Sequence, residues 1–292
     1  MLATKERAYA KINLFLDVVA LREDGFHTVK TVMHSISLCD TLTVRISREK
    51  QAGVRLNIKG NARLPADGRN LAHRAASLFL ERSCQTACVE IELEKNIPIA
   101  AGMAGGSTDA AAVLRALNRL LGRPFAARAL RSIAAELGSD VVYCLGGKTA
   151  LCEGRGEIIT PIPNPPRLCL VAAIADEHIS TPSAYKALDG IYSDFDGSVN
   201  SGGERHYEAL ISALSERRVP SELFNIFEQA VLPVCPNAAK IKEKMYSLGA
   251  TAALMSGSGP SVFGIFSDMD SARRAEAELR KFGFSAFSAE SV

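Results

Sequence analysis

The sequence lacks the features that mark membrane and secreted proteins. None of its apolar runs reaches the length of about 18 residues that would predict a transmembrane helix. Residues 1–16 do not show the order of a signal peptide, in which a basic segment precedes an apolar core and a small-residue cleavage site. We therefore expect a cytoplasmic protein with no membrane partner.

An excess of one charge is also missing. The chain has 34 Lys and Arg against 32 Asp and Glu, a formal net charge of +2. The basic residues are dispersed and form no stripe of the kind that follows a nucleic-acid backbone. The sequence therefore predicts no nucleic-acid partner.

Residues at metal-ligand spacing are scarce. The seven cysteines are scattered, mostly among apolar neighbours, and are expected to be reduced core residues. Cys84 and Cys88 form the closest pair, but no second pair and no nearby histidine accompany them. The five histidines show no pair at ligand spacing. We predict no zinc site.

What the sequence does contain is the pattern of a globular protein. Its 292 residues are 47% hydrophobic and 23% charged, which suits two domains with well-buried cores. Strand-like and helical segments alternate, and we expect an α+β fold with a largely antiparallel sheet in each half. Four prolines within residues 160–167 predict a boundary between domains 1–160 and 161–292.

The hydrophobic periodicity gives a prediction for each element. Strands are predicted at 8–21, 34–47, 53–60, 87–97, 140–154, 168–175, 250–255, 261–267 and 284–291, and helices at 70–83, 110–121, 125–138, 180–189, 205–216, 222–232, 237–249 and 270–283. A polar, glycine-rich insertion at 191–209, whose central part 193–205 has no assigned role, is expected to be mobile.

The most informative stretch is residues 95–124. Apolar residues at helical spacing end at Gly122 and Pro124, and the start of this helix, residues 102–107, carries almost no side chains. Bare backbone N–H groups at the positive end of a helix suit a phosphate, to which Ser107 and Thr108 could add hydroxyl contacts. Alternatively, the small residues only permit close packing, and Ser107 or Thr108 is an ordinary N-cap.

Two further glycine-rich stretches are not nucleotide motifs by themselves. GGKT at 146–149 lacks the earlier glycine of a Walker A loop and is not followed by a helical pattern. SGSGPSV at 256–262 lacks the third glycine of a dinucleotide fingerprint and leads into a strand. We interpret both as turns.

Polar residues at two other places could line a cleft. Lys11 and Asn13 share one face of a strand, so they either line a cleft or lie on an exposed face. Asp140 follows Gly138 and precedes an apolar run that we predict as a strand. This position is typical of a turn residue or of a carboxylate at the edge of a cleft.

Four segments together resemble the GHMP small-molecule kinases, in the order that this family has them. They are AKINLFLDVVALREDGFHTVKTVM, PIAAGMAGGSTDAAAVLRALN, LGSDVVYCLGGKTALCEGRGE and LMSGSGPSVFGIF, at 10–33, 98–118, 137–157 and 254–266. The resemblance spans the whole chain. It implies a two-lobed fold, with an N-terminal ATP-binding domain like ribosomal protein S5 domain 2 and a C-terminal ferredoxin-like GHMP kinase domain.

The resemblance also implies site residues. The family's catalytic lysine and aspartate correspond to Lys11 and Asp140, and the aspartate would take the proton of the attacking hydroxyl while ATP and Mg²⁺ lie on the glycine loop. The ATP-binding positions correspond to Pro98, Ile99, Ala100, Ala101, Gly102, Met103, Ala104, Gly105, Gly106, Ser107 and Thr108, with Asn70, Leu71 and Lys95 on the adenine side.

Within the family, the Gly25-Phe26-His27 corner suits a flat base. It resembles the branch whose substrate is a small alcohol that carries a cytidine diphosphate group, an intermediate of isoprenoid precursor synthesis. In that branch two rings, here Phe26 and Tyr185, sandwich the cytosine and His27 reads its edge, while Asn13 and Thr181 lie close to the rest of the substrate. A monomer or a homodimer would serve this activity.

Three points remain open in this comparison. The loop sequence of the wider family is Gly-Leu-Gly-Ser-Ser, whereas residues 102–106 are Gly-Met-Ala-Gly-Gly. Because these residues have no hydroxyl group, the hydroxyl ligand of Mg²⁺ is not assigned. Asp109 either caps the helix or approaches the metal. The alternative functions are another GHMP enzyme, such as a mevalonate or homoserine kinase or a diphosphate decarboxylase, and a non-catalytic sensor of the same fold.

Overall fold

The structure, a computed structural model, describes residues 2–47, 53–60, 64–192 and 202–292. In these residues the strands are β1 (Leu2–Leu21), β2 (His27–Ser47), β3 (Gly53–Lys59), β4 (Cys88–Glu94), β5 (Thr149–Glu153), β6 (Ile158–Pro161), β7 (Cys169–Ile174), β8 (Phe224–Asn225), β9 (Ala252–Met255), β10 (Ser261–Phe266) and β11 (Ser285–Glu290). The helices are α1 (Leu71–Ser83), α2 (Gly105–Leu120), α3 (Ala127–Leu137), α4 (Ser139–Gly146), α5 (Thr181–Ile191), α6 (Gly203–Ser215), α7 (Glu228–Val231), α8 (Pro236–Ser247) and α9 (Met269–Lys281).

The chain forms two compact units, and neither is continuous in sequence. Unit 1 consists of Met1–Ala10, Cys39–Ile99 and Ala104–Gly147, and unit 2 consists of Lys11–Leu38, Ala100–Met103 and Lys148–Val292. The long strands β1 and β2 contribute residues to both units. The predicted boundary at residue 160 divides the sequence in another way and stays a prediction.

Unit 1 is built from a strand group and four helices. β3 pairs in parallel with β4, and β4 pairs antiparallel with the second half of β2, from Thr41↔Glu94 to Ser47↔Cys88. Helix α1 packs against β3 and against α2, which in turn packs against α3 and α4. The buried face of α1 carries alanines at 72, 75 and 76, and α2 buries a run of small and aliphatic residues. Small side chains let these helices approach closely.

Unit 2 contains a four-stranded antiparallel sheet in the order β11-β7-β10-β9. Helices α8 and α9 pack on this sheet and bury Met245 and Leu279 against Val171, Val262 and Phe266. The first half of β2 pairs with β5, β5 pairs with β6, and β8 lies parallel to β1 at Phe15↔Phe224. The α+β class with mainly antiparallel sheets is therefore as predicted.

The structure corrects two predicted elements. Residues 139–146, placed in a strand by the sequence, form helix α4, and β5 follows only at Thr149. Residues 222–232, predicted as one helix, form the two-residue strand β8 and the single turn α7. Of the glycine-rich insertion, residues 193–201 lie outside the described residues, and α6 begins at Gly203.

The structure also describes the cysteines, the possible metal ligands and the helix lengths. Each of the seven cysteines is a free thiol, and Cys88, Cys144, Cys152 and Cys235 are buried. Within the described ranges no group of three or more His, Cys, Asp or Glu residues is arranged to hold a metal ion. None of the helices that the structure describes is long and apolar enough to span a membrane.

Candidate active site

Lys11 and Asn13 lie on a buried face of β1. Their exposed fractions are 4% and 1%, so the alternative of an exposed face is wrong. Lys11 Nζ donates to Asn13 Oδ1 at 2.8 Å, and Asn13 Nδ2 donates to Thr31 Oγ1 at 2.8 Å. Thr31 Oγ1 in turn donates to the carbonyl oxygen of Phe15 at 2.6 Å. This chain of hydrogen bonds fixes where the Lys11 ammonium group is held.

The turn at residues 256–260 closes over this lysine in unit 2. The amide N–H of Gly257 donates to Asn13 Oδ1 at 3.0 Å. A Cβ atom on Gly257, whose φ is +59°, would lie 3.1 Å from the carbonyl oxygen of Gly102 and 3.6 Å from Lys11 Nζ. Only glycine permits both this left-handed backbone and such a close approach. The glycine-rich turn is therefore a packing element beside Lys11.

The first part of the predicted ATP loop, Ala100–Met103, packs against the same turn. Ser256 Oγ donates to Gly102 O at 3.3 Å, and Ser261 Oγ donates to Ala101 O. A Cβ atom on Gly102 would lie 2.4 Å from the carbonyl oxygen of Ser256. Gly102 thus permits close packing, which is one of the two roles that the sequence suggested for the small residues at 102–107. Met103 is buried, and its carbonyl oxygen accepts from the Lys11 amide at 3.2 Å.

The amino-terminal end of α2, in unit 1, is bare. Its N-cap is Ala104, which has a left-handed backbone and makes no side-chain capping hydrogen bond. Gly106 is exposed, and a Cβ atom there would meet only Leu71 Cδ1, at 3.5 Å. The N–H groups of the first turn therefore have no side-chain acceptor at the cap. This geometry suits an anion and excludes the alternative in which Ser107 or Thr108 is the N-cap.

The other loop positions have distinct surroundings. Thr108 is buried and donates its hydroxyl to Tyr9 O at 2.8 Å, so that hydroxyl already has an acceptor. Ser107 is half-buried in the first turn of α2. Pro98 is half-buried, and Ile99 is 47% exposed.

Lys95 joins two buried carboxylates. Its Nζ donates to Asp109 Oδ2 at 2.9 Å and to Asp40 Oδ2. Asp40 Oδ1 accepts from the amides of Asn96 and Ile97 at 2.6 and 2.8 Å. Asp109 is therefore neither a helix cap nor an unengaged carboxylate, because its bonded partner is the lysine.

The charges in this cluster do not balance, because two carboxylates share one ammonium group. Burial raises the pKa of Asp109 well above its ordinary value, against the attraction of Lys95 and with the repulsion of Asp40. Burial alone would lower the pKa of Lys95, but the two carboxylates outweigh it and raise that pKa. Within the part of the chain that the structure describes, Asp109 Oδ1 is buried without a hydrogen-bond partner.

The predicted adenine residues Asn70 and Leu71 begin helix α1. Asn70 is its N-cap, since Oδ1 accepts from the Ala72 amide at 2.9 Å while Nδ2 donates to Pro65 O at 3.0 Å. Leu71 lies close to Gly106, as described above. These contacts fix the entry of α1 beside the bare end of α2.

Asp140 is the second residue of helix α4, not the residue before a strand. Gly138 precedes the helix with a φ of 152° and a ψ of 156°, a backbone region that essentially only glycine adopts, and Ser139 begins the helix. α4 packs against α2 within unit 1. Asp140 belongs to unit 1 and Lys11 to unit 2, and their assignment as the catalytic aspartate and lysine stays a prediction.

The predicted substrate-binding rings are found in unit 2, with an unexpected pairing. The ring stacked on Tyr185 is His27, with centroids 4.6 Å apart and an interplanar angle of 25°. His27 Nε2 bonds Asp189 Oδ1 at 2.8 Å. Phe26 is 51% exposed, and the guanidinium group of Arg155 lies over its ring at 3.9 Å. The structure therefore stacks Tyr185 on His27, and the cytosine sandwich of Phe26 and Tyr185 stays a prediction.

Thr181, the remaining predicted substrate residue, is the first residue of α5. Its hydroxyl shares a hydrogen bond with Ser258 Oγ at 3.0 Å, so α5 meets the turn at 256–260. Sequence reasoning missed three polar residues: Asp40, which bonds Lys95, Asp189, which bonds His27, and Asn225, which bonds the carbonyl oxygens of Met255 and Gly257. Asp40 could have been found from the sequence, because it is an acidic residue inside the alternating pattern of β2. The others are brought in from distant parts of the sequence, and no local pattern marks them.

Comparison with known proteins gives matches along the whole chain. A family model of the GHMP kinases N terminal domain matches residues 70–148, and one of the GHMP kinases C terminal domain matches residues 205–284. A 4-diphosphocytidyl-2-C-methyl-D-erythritol kinase of Bacillus subtilis is 41% identical over 280 residues, 95% of this chain and 93% of the relative. One of Caldicellulosiruptor saccharolyticus is 39% identical over 279 residues, 94% of this chain and 92% of the relative.

Solved structures agree with these matches. A crystal structure of 4-(cytidine 5'-diphospho)-2C-methyl-D-erythritol kinase has a TM-score of 0.81 at 35% identity and covers 98% of both chains. A homoserine kinase from Cytophaga hutchinsonii has a TM-score of 0.76 at 20% identity, covering 99% of this chain and 94% of that one, a likeness of fold alone. The predicted α+β GHMP kinase fold is confirmed.

Proposed function

The chain belongs to the GHMP kinases and, among them, to the 4-diphosphocytidyl-2-C-methyl-D-erythritol kinases, and from this membership we infer its reaction. It transfers the γ-phosphoryl group of ATP to the 2-hydroxyl group of 4-diphosphocytidyl-2-C-methyl-D-erythritol, a step of the methylerythritol phosphate route to isoprenoid precursors. The observation that carries this conclusion is about 40% identity to kinases of that name across at least 94% of the chain. Homoserine kinase shares the fold at 20% identity, which gives the alternative GHMP activities less support.

We propose that the phosphates of ATP bind at the bare start of α2. The uncapped first turn, the exposed Gly106 and the left-handed Ala104 leave backbone N–H groups open to an anion. The positive end of a helix of 16 residues adds a favourable field. Residues 98–104 would complete the loop, and Asn70, Leu71 and Lys95 would lie on the adenine side.

In the catalytic step, Asp140 would accept the proton of the substrate's 2-hydroxyl group as its oxygen attacks the γ-phosphorus. Lys11 would offset negative charge that develops on the phosphoryl oxygens. Phosphoryl transfer depends mainly on alignment and charge neutralisation, so a held ammonium group and one base suffice as protein groups. The support for Lys11 is its burial and its hydrogen bond to Asn13.

Mg²⁺ is proposed as the metal that accompanies ATP. When bound, it would neutralise charge on the β- and γ-phosphates. Asp109 fits poorly as a ligand because Lys95 already holds it, and Thr108 donates its hydroxyl to Tyr9 O. Ser107, in the uncapped first turn, is the hydroxyl that we propose for the metal or for a phosphate oxygen.

The cytidine diphosphate end of the substrate would bind at the His27 corner. Phe26 and Tyr185 are proposed to stack on the cytosine, with His27 at its edge. His27 covers one face of the Tyr185 ring in this structure, so a cytosine stacked on that face would displace the His27 ring. Thr181 and Asn13 would contact the remainder of the substrate.

The organisation of the protein beyond the site is also proposed. The two family models leave a gap from residue 149 to residue 204, which is compatible with an ATP-binding domain at 1–160 and a GHMP kinase domain at 161–292. We propose action in the cytoplasm, as a monomer or a homodimer, on a small molecule.

A direct test is ADP formation with purified protein, ATP and Mg²⁺ against a panel of alcohols. The panel contains 4-diphosphocytidyl-2-C-methyl-D-erythritol, methylerythritol 4-phosphate, mevalonate and homoserine, and ³¹P NMR identifies the product. The proposal expects turnover with the first compound and phosphorylation at its 2-hydroxyl. Preference for mevalonate or homoserine would assign the chain to another GHMP activity, and ATP binding without turnover of any alcohol would favour the sensor.

A further inference from the structure

Asn225 is a buried side chain whose hydrogen bonds all go to backbone groups. It lies in β8, and its exposed fraction is 3%. Nδ2 donates to Met255 O at 2.7 Å and to Gly257 O at 2.8 Å, while Oδ1 accepts from the Phe227 amide at 3.0 Å. Both donors and the acceptor of the amide are thus used. Such a side chain has one rotamer and one position.

The turn that Asn225 holds has two backbone hydrogen bonds of its own, from Ser256 N to Ser261 O at 2.9 Å and from Gly259 N to Ser256 O at 3.1 Å. Gly257 and Gly259 have φ values of +59° and +81°, and glycine loses more conformational freedom on ordering than any other residue. Neither of those two bonds involves the Gly257 N–H or carbonyl group, so the orientation of this peptide depends on other groups. Asn225 holds it from the side of β8, and Ser256 adds its bond to Gly102 O.

Gly257 connects the hydrogen bonds of Asn225 to Lys11. Its carbonyl oxygen accepts from Asn225, and its own amide donates to Asn13 Oδ1 at 3.0 Å. The same Asn13 oxygen accepts from Lys11 Nζ at 2.8 Å. Asn225, Gly257, Asn13 and Lys11 therefore form one continuous series of hydrogen-bonded groups inside unit 2.

We propose that Asn225 is a positioning residue for Lys11: it holds the 256–260 turn so that the Gly257 amide orients Asn13, and Asn13 sets the place of the ammonium group. This inference rests on the proposed function, in which Lys11 faces the transferred phosphoryl group. The hydrogen bonds of Asn225 go to backbone groups, so its proposed role is positioning and not contact with ATP or substrate. Because misplacement of a catalytic group by about 1 Å can cost about 10²-fold in rate, a residue that acts through two others still affects turnover.

The first test is Asn225→Ser, which removes both donors to the turn. We expect kcat to fall about 10- to 100-fold, while KM for ATP changes by less than about threefold. Asn225→Asp is the second variant, since it keeps the volume and the acceptor for Phe227 N but loses the donors. Both are assayed below their own melting temperatures, so that a lower stability does not mask the result.

A double-mutant cycle separates positioning from general destabilisation. If Asn225 acts through Asn13, the variant that combines Asn13→Ser with Asn225→Ser should have nearly the kcat of the less active single variant, within about threefold. Independent effects would multiply instead. Thermal unfolding of the same four proteins shows whether stability follows the same pattern.

Asn118→Ser is the matched control. Asn118 also clamps backbone, with Nδ2 donating to Phe125 O at 3.0 Å and Oδ1 accepting from Phe125 N at 3.1 Å. It lies about 20 Å along α2 from the bare end of that helix, at 1.5 Å per residue. We expect a lower melting temperature, a kcat within about twofold of the parent, and an effect on kcat that multiplies with that of Asn13→Ser.

The outcomes are distinguishable. A folded Asn225→Ser or Asn225→Asp variant with parental kcat, or effects that multiply with those of Asn13→Ser, would overturn the positioning role. A parent protein without kinase activity on the diphosphocytidyl alcohol would instead overturn the proposed function, before any variant is compared.

Discussion

The side chain of Asp140 provides the most direct test of the proposed chemistry. Replacement by asparagine keeps its shape in the first turn of α4 but removes the proton acceptor. We expect kcat to fall by ~10² to 10⁴, the usual contribution of general-base assistance, while ATP still binds. Steady-state kinetics and nucleotide titration measure the two quantities.

Misfolding would also lower kcat, so the Asp140→Asn protein must first show the parental melting curve. With that control met, a kcat within a few-fold of the parent would mean that Asp140 is only a helix residue, and the proposed mechanism would be wrong.

A second prediction concerns Gly106, the exposed glycine of the α2 start. A side chain there meets only Leu71, so Gly106→Val should fold, yet it would stand in front of the N–H groups proposed to bind phosphate. We expect KM for ATP to rise at least ~10-fold, about 1.4 kcal/mol of binding free energy. Initial rates over a range of ATP concentrations give this value.

Gly190→Val is its matched control, because Gly190 also lies in a helix, α5, and its Cβ would meet nothing within 4 Å. The control should keep the parental KM for ATP. Equal ATP affinity in both variants would rule out α2 as the phosphate site.

Helix α5 is the element on which base recognition depends. It carries Tyr185 and, one turn later, Asp189, and both contact His27. If Tyr185 stacks on cytosine, Tyr185→Leu should lower kcat/KM for the full substrate about tenfold, since a stacking contact contributes about 1–3 kcal/mol per base. Tyr185→Phe keeps the ring and should stay near the parental value.

Substrate trimming tests the same helix without a mutation. Methylerythritol 4-phosphate lacks the cytidylyl group and should be a poor substrate. Equal efficiency with this compound and with the full substrate would contradict a base-binding role for the α5 ring.

Most elements could be predicted from the sequence because their periodicity is strong. α1, α3, α8 and α9 begin and end within a few residues of the expected positions, where caps and glycines mark their ends. The run DVVYCL was placed in a strand because a short apolar run rich in β-branched and aromatic residues does not distinguish a strand from a buried helix. In α4 it packs against α2, and this tertiary contact overrides the propensity.

The segment around Asn225 shows the opposite error. Its apolar spacing favoured one helix. In the structure the side chain of Asn225 accepts a hydrogen bond from the Phe227 amide and donates to the carbonyl oxygens of Met255 and Gly257. A partner some 30 residues further along the chain cannot be read from a local pattern. The contact between Asp40 and Lys95 could not be predicted for the same reason, since the two residues are 55 positions apart. The bare start of α2 is a local feature and was predictable.

The stability of the folded chain should depend on pH through His34. This imidazole is buried between Thr149 Oγ1 at 2.7 Å and Ser291 Oγ at 2.8 Å. Burial lowers its pKa from the ordinary 6.5 to about 4. The unfolded chain therefore binds the proton first, and the stability present above pH 6.5 is lost as the pH falls from 6.5 towards about 4.

We expect His34 to account for a loss of about 2 kcal/mol in the free energy of unfolding between pH 7.5 and pH 5. Urea unfolding at both pH values measures it. His34→Gln should reduce this pH dependence by that amount, and His178→Gln, which changes an exposed histidine, controls for the substitution itself. An unchanged pH dependence in His34→Gln would show that other groups cause it.

The same histidine sets an order of events during synthesis. His34 and Ser291 are separated by 257 positions, so the ribosome translates His34 early and Ser291 only at the end of unit 2. The last segment of unit 1 ends at Gly147, so all of unit 1 has been translated before Ser291 is reached. The half of β2 that belongs to unit 2 can pair with β5 earlier, and His34 can then bond Thr149, but the Ser291 hydroxyl is translated only after β11. A chain that ends before Ser291 should therefore lack one hydrogen bond of His34 and should unfold at a lower urea concentration than the full chain.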